Sequence, residues 1–500
     1  MCITFAWCIL FLLPSIFYIL IFPIPRPVVP IPFLNTSHVD LNTSSQFLLP
    51  TPNISRSSFR CAESVPSYYD AERTVFNVPD HMRHTCLFSN LYYDLQTRRI
   101  FFLIEDENDT MPELPPMSIM GFPNALSAPM AFPPNTIAEA RRSTLFLQNT
   151  TTLLTFAPIL GMVSRTYEVH HGHTLFDGVL SHWYAMKRMN ISNKEIARRD
   201  MLIQFHDNKG IAPMDDRFRL LSSLPFLYGN HETFQGIANL DSKYFTPLII
   251  PQHNESKHTI IRIERAIFGL AGFGWASAPQ TQEWRGQKMR LFRQHAFAKM
   301  NLTEVREIST INLLIIDRVP NTRLSNGKVV NYFARWIFDD AAAFTQLAID
   351  LQGKVNITRV TLEDTTLEYQ MQLVQSASII MTLEGCAMEN VPFFRDHTAL
   401  IALQYNRRWE HYYYISARHF VEYAQFNHVK MVSTWIDPGT IPIQNTGGNY
   451  GVHLYYDLML RAIQDAIEIQ SNPLETCNGT NRCGSLISYT HDNGTFSMFY

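Results

Sequence analysis

From about residue 309 the chain alternates short apolar runs with helix-patterned stretches, and this constrains its fold more than any other feature. TINLLIIDR (310–318), ITRVTLE (357–363), SIIMT (378–382) and ALIALQY (399–405) read as strands. NYFARWIFDDAAAFTQLAIDLQ (331–352) and TLEYQMQLVQSA (366–377) read as helices between them. Strands and helices taken in turn are the signature of parallel βαβ units. YYDLMLRAIQDAIEIQ (455–470) is an amphipathic helix, expected to close the fold by packing across an earlier and a later lobe.

The earlier part is less regular. HTCLFSNLYYDLQTRRIFFLIED (84–106) has aromatic-apolar runs around a polar turn and predicts a hairpin. Residues 108–136 are Pro-rich and read as an irregular excursion. TLFLQNTTTLLTF (144–156) and MLIQFHD (201–207) read as strands, and LFDGVLSHWYAMKRM (175–189) as a helix. With 500 residues, 46% of them hydrophobic, there is room for two or three domains around a sizeable core. A net charge of −3 advertises no nucleic-acid surface.

The first 22 residues carry no charged side chain, a length that spans a bilayer as one helix. They lack the basic start and small-residue cleavage site of a signal peptide. The first basic residue, Arg26, follows the span, which is the reverse of the usual charge bias for an anchor whose C-terminal side is luminal. Sidedness is read instead from eleven N-x-S/T sequons, at Asn35, Asn42, Asn53, Asn108, Asn149, Asn190, Asn254, Asn301, Asn356, Asn478 and Asn493. Such sites accept a glycan only in a secretory lumen, so the chain after the span is expected there. The expected division is an anchor over 1–22, a Pro/Ser/Thr-rich stem over 23–60, lobes over 61–304 and 305–470, and a tail over 471–500. Cys2 and Cys8 fall in the span, and an oxidising lumen pairs some of the other five cysteines. Cys477 with Cys483 is the first pairing to expect and Cys61 with Cys86 the next, leaving Cys386 free.

Several stretches have the residue types that chemistry needs. MTLEGCAMENVPFF (381–394) interrupts a buried-strand pattern with Glu384 beside Gly385. Ligands of open parallel sheets sit at the carboxyl ends of strands, so this is a ligand loop or an ordinary strand-to-helix turn. A helix starting near Ala387 or Met388 would turn free N–H groups toward a phosphate. His170, His171 and His173 precede Asp177, and the four-residue step from His173 to Asp177 puts both on one helix face. Imidazole beside carboxylate suits general base work, three histidines could hold zinc, and local hydrogen bonding at a strand end is the plain alternative. Arg318 follows a strand directly, with Arg323 and Arg335 downstream, and arginine suits bidentate phosphate binding. In EDTTLEYQ (363–370) the helix N-cap is Asp364, Thr365 or Thr366. RRWEHYYYISARHF (407–420) offers aromatic stacking or aromatic core.

Taken in order these residues resemble glycosyltransferase family 61 over about 84–425, most clearly over 305–425. The resemblance rests on Cys86 with Asn90, on His173-Thr-Leu-Phe-Asp177, and on the strand-end Arg318. It continues through Arg335-Trp-Ile-Phe-Asp339, where the family has Asn last, and through Glu363 to Gln370. It ends with Glu384-Gly385-Cys386-Ala387-Met388-Glu389-Asn390 and Trp409-Glu410-His-Tyr-Tyr413. The family's loop begins with histidine where this chain has Glu384, and its second glycine is Ala387 here. What the resemblance implies is a GT-B fold of two Rossmann-like lobes and inverting transfer from a UDP-sugar. The donor would carry xylose, GlcNAc or arabinose, and the acceptor is a glycan or glycoprotein hydroxyl. Asp177 is then the base with His173 beside it. Arg318, Arg323 and Arg335 neutralise the leaving diphosphate, with Glu363, Glu384, Gly385 and Cys386 on the donor side. It implies no metal and no cofactor besides the donor. With the anchor and stem it implies a single-pass Golgi membrane protein, the endoplasmic reticulum being the alternative. Glu384 in place of the histidine keeps a second reading open, a glycan-binding protein of impaired activity, and the histidine cluster a third, a zinc-dependent hydrolase.

Overall fold

The computed structural model describes residues 55–63, 68–69, 75–76, 84–97, 99–104, 114–115, 117–118, 131–132, 137–141, 150–163, 165, 171–205, 210–228, 237, 240, 242–249, 258–269, 282–305, 308–317, 324–325, 328–329, 335–338, 341–362, 365–383, 386–396, 398–403, 432–436, 445–446, 449–452, 456–471, 485–489 and 497–499. All belong to one unit, Asn53–Tyr500. The anchor span and most of the stem lie outside these residues, as does the segment 407–420. Among the described residues no helix is long and apolar enough to cross a membrane.

The first lobe is a mixed sheet. Nine of its eleven strands are β1 (Ser58–Glu63), β2 (His84–Asp94), β3 (Arg99–Ile104), β4 (Ile137–Arg141), β5 (Thr150–Val163), β6 (Met201–Phe205), β7 (Leu227–Tyr228), β8 (Phe245–Ile249) and β9 (His258–Phe268); the two-residue strands Met117–Ser118 and Ala131–Phe132 complete it. Their order is β7-β6-β5-β9-β2-β3-β4, with β1 on β2 and β8 on β5. β2 and β3 are the expected hairpin, with Asp94 opposite Arg99. The Asp94 carboxylate closes its turn by accepting the N–H groups of Gln96 at 2.8 Å and Thr97 at 3.3 Å. β5 is parallel to β6 and β9, whereas β9 is antiparallel to β2, so this sheet is not uniformly parallel.

β1 sets Cys61 opposite Cys86 on β2, and a disulfide joins them. The bridge is the second of the two expected pairings; Cys477 and Cys483 lie outside the described residues. Because Ser57 N–H bonds to Leu103 and β1 pairs along its length, the fold takes in residues assigned above to the stem.

A π-helical segment, His173–Leu180, runs without a break into α1 (Ser181–Arg188), and α2 (Asn193–Arg199) follows with Ser192 as its N-cap. The helix expected from residue 175 is therefore present and starts earlier. Six consecutive residues of α1 are buried, Ser181 to Met186. Trp183 is fully enclosed and meets Phe292 edge to face at 5.5 Å. Phe292 belongs to α3 (Gln282–Lys299), the link between lobes.

The second lobe is a parallel sheet of β10 (Asn312–Asp317), β11 (Asn356–Thr361), β12 (Ile379–Leu383), β13 (Ala399–Leu403), β14 (Val432–Ile436) and β15 (Ser485–Tyr489), edged by antiparallel β16 (Ser497–Phe499). The order is β11-β10-β12-β13-β14-β15-β16. The region assigned to a C-terminal tail thus supplies two strands. α4 (Ala341–Asp350) and α5 (Leu367–Ser376) are the crossovers, and α6 (Tyr456–Ser471) is the late helix. Thr366 is the N-cap of α5, its side chain accepting from Tyr369 N–H.

One helix expectation is corrected. Among the described residues of 331–352 the helix is Ala341–Asp350, while Arg335–Phe338 is a strand parallel to Asn449–Val452. The run RWIFDDAAAF is apolar on both sides of an Asp pair, and β-favouring Trp, Ile and Phe before that pair decide for the strand.

Strand alternation assigns the faces of the second sheet. Leu313, Ile315, Ile379, Met381, Ala399 and Ile401 pack with Ala343 and Leu347 of α4 and with Met459, Ala462, Ile463 and Ala466 of α6. Those α6 positions follow the three-and-four spacing, and among the described residues they cover the second sheet rather than both lobes. Leu314, Ile316, Ile380 and Leu400 face the other way. They share one cluster with α5, α3, Trp183 and the β5–β6 residues Ile159, Met201 and Ile203, so the lobes have a common apolar core.

Candidate functional site

The second sheet has a topological switch point. Strand β10 has β11 on one side and β12 on the other, so the chain leaves these neighbours in opposite directions. α4 and α5 accordingly cover opposite faces. A crevice forms where such crossovers diverge, at the carboxyl ends of the strands. β10 ends at Asp317, immediately before Arg318, and β12 ends at Leu383, immediately before Glu384-Gly385. Two expected donor-side stretches, far apart in sequence, therefore leave adjacent strands at the same edge. The third strand end, after Thr361, precedes Glu363.

Arg318, Arg323, Glu363, Glu384 and Gly385 themselves lie outside the described residues. Cys386 opens a 3₁₀-helix, Cys386–Phe393, close to where a helix start was expected. Arg335 opens the short strand just described, at its amino end rather than at a carboxyl end. The side chains of Arg335 and Cys386 are not described.

At this edge Asp317 is held from the sheet: its Oδ2 accepts from Arg359 Nε at 3.1 Å, and Arg359 Nη2 closes a second bond. A second group of polar side chains joins the lobes. Arg217, on the 3₁₀-helix Asp215–Leu220, donates from Nε to His171 Nδ1 at 2.9 Å. Its Nη1 donates to Asp216 Oδ2 at 2.8 Å and its Nη2 to Gln370 Oε1 at 3.4 Å. Gln370 Nε2 donates to the carbonyls of Leu362 at 2.9 Å and Thr365 at 3.2 Å. The seam thus runs from the start of the helix that carries His173 and Asp177 to the carboxyl end of β11. Nδ1 of His171 accepts, so a neutral ring carries its proton on Nε2.

Burial raises the Asp216 carboxyl above its usual range; Arg217 opposes this and Glu368 adds to it. Burial likewise lowers the Arg217 guanidinium, although Asp216 and Glu368 draw it back up. The arrangement is a half-buried set of paired polar groups that fixes one lobe against the other at their junction.

His173 and Asp177 lie on the π-helical segment, and their four-residue step, close to one turn, puts both positions on one side of it. Their side chains, and all of His170, are outside the described residues. Among the described residues no three His, Cys, Asp or Glu side chains form a metal-holding group.

By sequence alone the pair Asp215-Asp216 reads as surface or capping carboxylates; this holds for Asp216, whose side chain is 44% exposed in the first turn of its 3₁₀-helix, and is corrected for Asp215. Asp215 is 4% exposed and forms a buried ion pair with Arg165, whose Nη1 donates at 2.7 and 2.9 Å. Tyr228 Oη donates to Asp215 at 2.9 Å and the N–H of Ala212 at 2.8 Å, and Arg165 stacks 4.4 Å from the Phe205 ring centre. The DD dipeptide resembles any surface turn; its partner lies fifty positions away and gives no local signal.

Of the sequons, Asn190, Asn301 and Asn356 are exposed, and the other eight are outside the described residues. Asn190 and Asn301 take left-handed backbone, φ 51° and 54°, as asparagine tolerates at helix ends.

No family model matches the chain, and no curated protein is significantly similar to it.

Proposed function

We propose that the protein is an inverting glycosyltransferase of GT-B type, moving xylose or GlcNAc from a UDP-sugar to a hydroxyl of a glycan or glycoprotein. The observation that carries this reading is the switch point: the strands leading into Arg318 and into Glu384-Gly385 are neighbours with crossovers on opposite faces. That is where a nucleotide diphosphate binds in sheets of this order. The resemblance to family 61 supplies the chemistry.

In this reading Arg318, aided by Arg323 and Arg335, neutralises the diphosphate as the sugar–phosphate bond lengthens, and N–H groups near Gly385 assist. Asp177 takes the acceptor proton as its oxygen attacks the anomeric carbon opposite the leaving group, and His173 orients it. The His171–Arg217–Gln370 seam holds the base-bearing helix against α5, a positioning role. The Cys61–Cys86 bridge and the three exposed sequons suit a secretory lumen, and the uncharged first 22 residues suit a single-pass Golgi anchor.

The test is diphosphate release from a panel of nucleotide sugars by the full chain, with and without chelator, beside Asp177→Asn. The reading expects release from one UDP-sugar, indifferent to chelator and lost in the variant while nucleotide still binds. Full turnover by Asp177→Asn refutes the base assignment. Silence across the panel together with absent UDP binding favours the second reading, a glycan-binding protein in which the Glu384 carboxylate repels the diphosphate.

A further inference from the structure

A cavity of about 570 Å³ opens between the end of α3, the segment 302–305 and the segment that follows the Cys386–Phe393 turn. Its walls lead into the amino ends of β10 and β13, the edge of the sheet opposite the switch point. Four charged side chains line it, and they compensate one another. Asp396 Oδ2 accepts from Arg290 Nη2 at 3.0 Å, its Oδ1 lies 2.8 Å from Arg293 Nη2, and Arg293 Nε lies 3.0 Å from Glu304 Oε2. Arg293 is almost wholly enclosed, whereas the side chains of Asp396 and Glu304 are about a quarter exposed and Arg290 more so. Phe297 and Leu302 add an apolar patch.

The wall therefore offers paired donors and acceptors with no uncompensated charge. An anion finds no spare cation, and a hydrocarbon would strip water from the exposed parts of the ion-paired side chains without replacing its hydrogen bonds. A neutral ring with adjacent hydroxyls fits both demands: hydroxyls donate to carboxylate and accept from guanidinium, while C–H groups cover the apolar patch. The volume is in the range of small-molecule sites. We propose that this cavity is a subsite for a neutral sugar, distinct from the donor site.

One source of that sugar is attached to the chain. Asn301 is the exposed left-handed residue that ends α3, with Leu302 N–H returning to Phe297 carbonyl at 2.8 Å. Leu302 and Thr303, the rest of its sequon, line the cavity. A glycan on Asn301 thus starts at the rim; this source rests on the luminal reading above. The other source is a free glycan, such as a branch of the acceptor.

The full chain, made in a secretory host, separates these. Mass spectrometry reads occupancy of Asn301. Hydrogen exchange over 290–305 and 391–398 is then followed in wild type, Asn301→Gln and Arg290→Ala, with and without millimolar chitobiose, mannobiose or xylobiose. An attached occupant predicts exchange about tenfold faster in Asn301→Gln, restored by an added disaccharide. A free occupant predicts that a disaccharide protects wild type and fails to protect Arg290→Ala. If Asn301→Gln exchanges like wild type and no disaccharide protects either, the subsite is refuted. Protection with an unmodified Asn301 keeps the subsite and removes the luminal source. Protection in a chain without transferase activity keeps it and removes the function proposed above.

Discussion

His182 sits on α1 at zero exposure, with no hydrogen-bond partner for either ring nitrogen among the described residues. It fits because Gly161 on β5 has no side chain: a Cβ there would come within 2.4 Å of the imidazole Nε2. Burial drives the His182 pKa down to about 3, and burial with Lys187 and Lys299 drives His295 to about 4. Both rings are neutral in the fold and protonate near pH 6.5 when unfolded. Their stability contribution is complete above about pH 6.5 and falls as the pH drops toward their folded values. At pH 5 the loss is roughly 2 kcal/mol for each. Denaturant titrations at pH 7.5 and 5 should show a loss of roughly 4 kcal/mol, about half of it absent in His182→Leu; equal stability at both pH values would contradict the buried neutral state. Asp215→Ala strands Arg165 in the core and should cost about 3–5 kcal/mol in the same titrations, against near-neutral change for a surface carboxylate. Neither group was legible in the sequence, because His182 continues a helix pattern and the pair Asp215-Asp216 looks like a turn. Burial of a polar residue depends on what folds over it, here Gly161 and Arg165.

The elements were more legible than the residues. Short runs such as NLLIID and SIIMT announce themselves as strands because both faces are apolar, and parallel sheets bury both. The period of α6 gave its apolar face but not what it covers, since the partners Leu313, Ile379 and Ala399 come from three separate strands. Arg335–Phe338 misled because a four-residue strand beside a helix offers too little period to separate the two. β1 lacked any signal beyond Cys61, and the disulfide adds a covalent tie to the ladder that pairs this short edge strand with β2. With its cysteines 25 positions apart, Cys61→Ser should lower stability by about 3 kcal/mol. Limited proteolysis should then cut first near residues 55–63; a variant as resistant as wild type would show that strand pairing alone retains β1.

In the whole molecule two sheets meet across one apolar cluster, with α3 and α1 between them and the His171–Arg217–Gln370 seam bridging the same junction. The parallel character of the second sheet was readable from strand–helix alternation. The mixed first sheet was not, because antiparallel pairing of β9 with β2 joins segments more than 160 residues apart by the register Phe268 to Cys86 and its neighbours. Sheet order makes the strand end before Arg318 and the loop at Glu384 more than two unrelated motifs: it places their strands side by side at the carboxyl edge, where open parallel sheets generally take their ligands. The most direct measurement is calorimetric titration of UDP into the full chain and into Arg318→Ala. The account predicts binding by the wild type and a loss of about 2 kcal/mol, roughly thirtyfold, when the charge-assisted contact is removed. Equal affinity in the two proteins would contradict a diphosphate site at the end of β10.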